Sequence, residues 1–406
     1  MLDEQFIRSQ FPAFSEASLE GYALFENAGG SYPCQQVVDR LNRFYRQRKV
    51  QPYYGFAASR IAGEEMDEAR SRLADYLGVS ADELSFGPST TQNTYVLSQA
   101  FKEMLRPGDA IIVTNQDHEA NSGPWRRLAN AGFEIREWQV DPSSGHLALD
   151  ALDALLDDQV RLVCFPHCSN VVGEINPVAE IVAKAHAVGA FCCVDGVSYA
   201  PHGLPNIAAL DADIYLFSTY KTYGPHQGAM VVRRNLVDQL PNQGHEFNGG
   251  DPTKRLTPAG PDHAQIAACA GIADYFDDLA KFHGFDGLRA SEKGERVHAL
   301  FRQREQQLLQ PLLDYFSSRN DVRLLGPADA EGRAPTVSVV LKEPGETVAA
   351  RLNSEGIMAG DGDFYAGRVI RAMGEDPNRG ILRLSFVHYT SEAEIEQLLS
   401  ALDRQL

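Results

Sequence analysis

The chain has 406 residues, of which 44% are hydrophobic and 23% charged, proportions of a folded globular protein, and its length fits about two domains. With 37 basic against 55 acidic residues the formal net charge is -18, a balance that repels nucleic acid and anionic membrane, so neither is an expected partner. No apolar run is long enough to span a bilayer. The opening MLDEQFIRSQFPAF lacks the basic-then-apolar pattern of a cleaved signal, so a cytoplasmic location is expected.

Residues 1–25 read as a short helix and an extended arm, followed by the glycine-rich turn FENAGG. A helix is predicted from Gln35 to about Arg48, ended by the break at Pro52, and another over 63–77. An alternating pattern then begins. LSFGPSTTQN is a turn feeding a helix, DAIIVTNQDHEAN a strand with a polar exit, and FEIREWQV, RLVCFPHCSN, AFCCVDG, DADIYLFSTYK and GAMVVRR are further strands separated by helical stretches. Such alternation predicts an α/β fold with a mostly parallel sheet. Its polar residues cluster past the strand ends, where open α/β sheets bind ligands. Beyond a loop-rich stretch, helices are predicted over 264–283 and 286–316, then short strands. A last helix over 391–405 is capped by Ser391 with Glu394 three residues on. The division expected is an N-terminal arm 1–25 packing with the small domain, a large domain 26–265 and a smaller C-terminal α+β domain 266–406.

Chemistry-bearing residues fall at these strand exits in a fixed order. Ser89, Thr90 and Thr91 open a helix, whose free N–H groups and dipole suit a phosphate; the same residues also serve as an ordinary cap. His118 can stack on a flat ring. Asn170 can hydrogen-bond a phenolate oxygen or form a local turn. Asp195 ends an apolar strand, where a carboxylate can keep a pyridine nitrogen protonated or simply cap a turn. Lys221 lies between two apolar strands. Alone it reads as a solvated loop lysine, but partial burial would lower its pKa and favour imine formation with an aldehyde. Ser218 and Tyr220 are further phosphate donors. Phosphate turn, stacking ring, phenolate partner, pyridine partner and lysine together describe a pyridoxal 5'-phosphate site.

With these motifs the chain resembles fold-type I pyridoxal-phosphate enzymes of the class V aminotransferase family, in the branch of cysteine desulfurases and selenocysteine lyases. The resemblance rests on PSTTQN, QDHEAN, CSNVVGE, VDGVSYAPHG and DIYLFSTYKTYGP and covers almost the full chain. It implies that Lys221 is the Schiff-base lysine, Asp195 the pyridine-nitrogen partner, His118 the stacking ring and Asn170 the hydroxyl partner. It implies phosphate contacts from Thr91 and Ser218. Asn27 falls in the substrate segment and Arg383 matches the clamp on a substrate carboxylate, a task suited to its planar fork. It also implies a homodimer, with loops 52–62 and 244–262 placed to complete the neighbouring site.

The departures from that pattern bear on the reaction. The desulfurases attack substrate sulfur with a cysteine in a C-terminal loop. Here that loop reads GIMAGDGDFYAG, with Tyr365 about where the cysteine would stand, and no cysteine follows Cys269. Ser198 stands for the usual glutamine, Tyr220 for the histidine before the lysine, and Pro261 for a threonine expected from the neighbouring subunit. The expectation is an amino-acid lyase that is cysteine desulfurase-like or selenocysteine lyase-like without the usual catalytic cysteine, any sulfur acceptor being left open. A class V aminotransferase or an epimerase are the alternatives. A non-enzymatic binding protein of this fold is disfavoured because Lys221 and Asp195 are both retained. Cys164, Cys192 and Cys193 read as small buried thiols rather than metal ligands, and no metal site is expected. Cys34 and Cys168 lie nearer the predicted site.

Overall fold

The computed structural model describes residues 2–406, with twelve strands in two sheets. They are β1 (Ala23–Phe25), β2 (Leu84–Gly87), β3 (Ala110–Thr114), β4 (Glu134–Trp138), β5 (Val160–Pro166), β6 (Phe191–Asp195), β7 (Ile214–Ser218), β8 (Gly228–Val232), β9 (Arg323–Leu325), β10 (Thr336–Val340), β11 (Ile357–Gly362) and β12 (Ile381–Ser385).

The large sheet has seven strands in the order β2-β8-β7-β6-β5-β3-β4. Strands β7, β6, β5, β3 and β4 pair in parallel, and β8 runs antiparallel to both its neighbours. Helices cover both faces, so the central strands are buried on both sides. That is why VRLVCFP and FCCVD read as continuous apolar runs rather than as alternating ones. The parallel strands all end on one edge, and their exits carry Asp117, His118, Asn170, Asp195 and Lys221. The helix Thr90–Met104 starts at the same edge, capped by the Ser89 hydroxyl, which accepts from the Gln92 N–H at 3.1 Å. Its N-terminus rests directly on β8. A Cβ at Gly228 would lie 2.5 Å from the Thr90 nitrogen, so only glycine permits this approach.

The second sheet has five strands in the order β1-β11-β12-β10-β9, antiparallel except for the β1–β11 pair. The N-terminal arm thus contributes an edge strand to the C-terminal sheet. The ion pair between Arg8 and Glu394, at 2.8 Å, ties the first helix, Glu4–Ser9, to the start of the last, Glu392–Gln405. That last helix opens with the predicted capping box of Ser391 and Glu394. Strands β1 and β2, three and four residues long, stand where the sequence predicts an arm and a turn, because so short a segment shows no periodicity.

The helix predicted over 264–283 is two helices, His263–Ala268 and Ala270–Phe282, and both pack on the helices Gln35–Gln47 and Ala57–Leu77. Their buried faces, including Ile266, Ile272 and Phe276, join the same apolar cluster as the large sheet. We therefore propose that the division between the units lies inside the long helix Ala290–Ser317 rather than at 265.

Candidate active site

At the shared strand edge the residues expected around a cofactor converge. Ser89, Thr90, Thr91, His118, Asn170, Asp195, Ser198, Ser218, Tyr220 and Lys221 all line one cavity of about 90 Å³. Lys221 ends a short 3-10 turn, Thr219–Lys221, directly after β7. Burial pulls its ammonium down to about 8, helped by the cationic Arg383 and opposed by Asp195. Asp195 is the last residue of β6, and its carboxylate accepts the Val197 N–H at 2.8 Å. Burial raises this carboxyl to about 6, against the pull of that hydrogen bond and of Lys221.

His118 caps the helix Glu119–Arg126. Its Nδ1 accepts the Ala120 N–H at 3.0 Å, which leaves Nε2 to carry the proton of a neutral ring. Burial, with Lys221 and Arg383 nearby, depresses it to about 3, so the imidazole is neutral at physiological pH. Asn170 donates to the Phe364 carbonyl at 3.0 Å, while its own Oδ1 is buried without a partner. Around the helix N-terminus the hydroxyls of Thr90 and Ser218 lie 2.8 Å apart. Tyr220 stacks on His226, with ring centroids 4.6 Å apart.

A wider outer cavity of about 450 Å³ continues from this one and shares Thr91, His118, Ala120, Asn170, Tyr220 and Lys221 with it. Arg383 of β12 lies in its wall with Glu26, Phe364 and Tyr365. The Phe364 ring lies over the Arg383 guanidinium at 3.7 Å. Phe364 and Tyr365 both have left-handed backbone, φ 50 and 54, and the Tyr365 carbonyl accepts the Glu119 N–H at 2.7 Å. Tyr365, 73% exposed, stands at the mouth beside the His118 ring.

One expected site residue lies elsewhere. Asn27 is in neither cavity wall: it is buried, and its Oδ1 accepts the Tyr389 hydroxyl at 2.7 Å. The segment runs alongside the end of β12, with the Asn27 N–H donating to the Ser385 carbonyl at 3.1 Å. Glu26 is the last residue paired beside β12 and faces the cavity, whereas Asn27 begins the turn closed by the Gly29 N–H on the Glu26 carbonyl and faces the interior. Glu26 was not anticipated, nor was Asp117, a buried carboxyl in the inner wall that burial and then Asp195 push well up. The signal for Asp117 was its place beside His118 in QDHEAN. Of the two cysteines nearest the site, Cys34 lies outside both cavities, and Cys168 lines the inner one. Burial raises both thiols to about 12.

These residues fit pyridoxal phosphate. A helix N-terminus with two hydroxyls shares the cavity with a half-buried lysine and a buried carboxylate, and Asn170 Oδ1 has no protein partner. The profile of the family described as Aminotransferase class-V matches residues 23–258 and 294–398. The chain is 31% identical to the aminotransferase-like protein FGM3 of Gibberella zeae, over 98% of each chain. It is 29% identical to a cysteine desulfurase of Serratia proteamaculans, over 98% of this chain and 97% of that one. Among solved structures, the apo cysteine desulfurase of Thermococcus onnurineus NA1 superposes with a TM-score of 0.86 at 23% identity, covering 100% of this chain and 98% of that one. The chain therefore belongs to the class-V aminotransferase family and is a pyridoxal-phosphate-dependent enzyme.

Proposed function

We propose that the enzyme acts on a small amino acid, with Lys221, Asp195 and His118 at the reacting centre and Arg383 as the carboxylate clamp. The observation that carries this reading is the meeting of Lys221 and Asp195 in one buried cavity that opens onto Arg383. Pyridoxal phosphate, when bound, supplies an electron sink for charge developing at substrate Cα. Ser89, Thr90, Thr91 and Ser218 would hold its phosphate, Asn170 and Ser198 its hydroxyl edge, and Asp195 its ring nitrogen. His118, neutral, would cover the ring face. Lys221 would anchor its aldehyde carbon. With its pKa near 8, Lys221 is also the group suited to take a proton from substrate Cα. Tyr220 would close the inner cavity on the outer side.

The reaction favoured is lyase chemistry of the cysteine desulfurase or selenocysteine lyase kind, in keeping with the cysteine desulfurases among the relatives. It would proceed without a thiol from the 357–366 segment, which contains none. Aminotransfer is the second reading, favoured by the aminotransferase-like relative. A homodimer belongs to the same proposal. Its support is a group of exposed aromatic side chains, Tyr53, Tyr54, Phe56 and Phe247, on the segments expected to meet a second copy. Six free, buried cysteines suit a reducing compartment such as the cytoplasm.

A screen of amino acids against the cofactor-loaded enzyme tests the reading, with pyruvate, sulfide or selenide, and keto-acid products assayed for each. Turnover of a sulfur- or selenium-containing amino acid, with KM raised in Arg383→Lys, is expected. Keto-acid formation that depends on an amino acceptor would select aminotransfer instead. Turnover unaffected in Arg383→Lys would remove Arg383 from the site.

A further inference from the structure

Arg383 already holds a carboxylate, and it belongs to the protein. Its Nη2 donates to Glu26 Oε1 at 2.5 Å, its Nη1 donates to the Asn170 carbonyl at 3.1 Å, and Phe364 covers one face. The pairing is one-pronged: Arg383 Nε and Glu26 Oε2 are both buried and both lack a partner. The carboxylate sits between two glycines. A Cβ at Gly29 would lie 2.7 Å from Glu26 Oε1, and one at Gly360 would lie 2.5 Å from Oε2. Gly360 faces Arg383 across the β11–β12 ladder, so the two strands leave a space beside the guanidinium that Glu26 fills.

We propose that Glu26 is a specificity-determining residue, an internal carboxylate that a ligand's carboxylate must displace from Arg383. The inference rests on the reading of Arg383 as the carboxylate clamp. A two-pronged clamp needs adjacent N–H groups of the guanidinium, and Nη2 is taken until Glu26 leaves. If Glu26 stays nearby, two carboxylates share one cation and repel each other. A plain carboxylic acid therefore binds weakly. An amino acid is different, because capture of its amine at the cofactor holds its carboxylate beside Arg383 at high effective concentration. Glu26 thus selects amino acids over acids without an amine, and it takes Arg383 back when a keto-acid product departs.

The test uses the cofactor-loaded enzyme and two inert probes, propanoate and its neutral isostere propanamide, with affinities measured by calorimetry. Neither probe has an amine to react. Glu26→Gln removes the competing charge and is expected to raise the propanoate-to-propanamide affinity ratio by about tenfold or more. Gly360→Ala keeps the charge but pushes the carboxylate out of its place, and is expected to move the ratio the same way. It decides the matter alone should Glu26→Gln not fold. An unchanged or lower ratio would overturn the role of Glu26 while leaving the clamp in place, provided Arg383→Gln weakens propanoate. If Arg383→Gln leaves propanoate binding unchanged, both the clamp and this role fall.

Discussion

The hydroxyls of Thr90 and Ser218 lie 2.8 Å apart although 128 positions of chain separate them. One opens the helix Thr90–Met104 and the other ends β7, three residues before Lys221, so a single contact joins the helix N-terminus to the lysine turn. Each hydroxyl can turn from its partner to a phosphate oxygen. Hydrogen bonds to a charged group contribute about 1.5–3 kcal/mol each, so Thr90→Val or Ser218→Ala should weaken cofactor binding by about ten- to a hundredfold. Cofactor dissociation constants by fluorescence titration check this. Unchanged affinity in both variants would place the phosphate elsewhere.

Lys221 is the expected point of covalent attachment. Borohydride reduction followed by peptide mass mapping should find the cofactor mass on Lys221 and on no other residue. Because burial brings this ammonium to about 8, the free amine is available well below the pH an ordinary lysine requires. The rate at which the apo protein captures pyridoxal phosphate should therefore rise with pH to a half-maximum near pH 8. A midpoint near the ordinary value of 10.5 would contradict the burial.

Asp195 couples chemistry to stability. Its carboxyl titrates at about 6 in the folded apo chain against 3.8 for an ordinary aspartate. A group whose pKa rises on folding stabilises fully below its unfolded value, and that contribution is lost as pH rises through the folded value, here between about pH 4 and 6. Above that window the apo protein keeps a charge in a site that disfavours it. Asp195→Asn should thus make the apo protein more stable at pH 7, by up to about 3 kcal/mol, and flatten its stability between pH 4 and 6. The same change should slow turnover by about a hundredfold or more, because the ring nitrogen loses its anionic partner. Denaturant melts of the apo forms and steady-state rates of the loaded forms read the two effects separately.

No thiol of this chain is expected to carry substrate sulfur. Cys34 packs with its thiol toward the Gly271 carbonyl, 3.6 Å away, and Cys168 points at the Gly173 carbonyl, 3.4 Å away. Both thiols are raised to about 12, so the nucleophilic thiolate is scarce. Replacing Cys34 and Cys168 by serine, singly and together, should leave turnover within about threefold, the cost being confined to stability. Mass spectrometry after trapping with a thiol-reactive reagent during turnover should show no persulfide. A persulfide on either residue, with turnover lost in its serine variant, would overturn this expectation.

The aromatic group Tyr53, Tyr54, Phe56 and Phe247 should be covered by a second copy. Phe247, 83% exposed in the single chain, shares a cavity wall with Tyr53, and Tyr54 stacks on Phe56; contiguous exposed aromatic patches mark interaction sites. Light scattering should report twice the chain mass. Phe247→Asp should shift the equilibrium toward monomer and lower activity in proportion. A stable, fully active monomer would rule the dimer out.

The alternation of strand and helix, the parallel sheet and most of the inner cavity wall were legible in the sequence, Asp117 being the exception among its charged groups. Central strands covered on both faces must be continuously apolar, so their ends stand out where polar residues begin; Asp195 ends β6, and His118 and Lys221 lie four and three residues past the ends of β3 and β7. The terminal helix was legible for a similar local reason, because its cap lies within four residues. The outer cavity was not, because it forms between segments brought together only by the fold. Glu26 meets Arg383 across 357 positions, through β1 joining the far sheet as a strand too short to show a period. The choice between Glu26 and Asn27 turned on where the strand pairing ends and the turn begins, and only the pairing of Glu26 beside β12 decides that. Residue types and their local order set the chemistry at Lys221; tertiary pairing decided that a protein carboxylate would occupy the arginine beyond it.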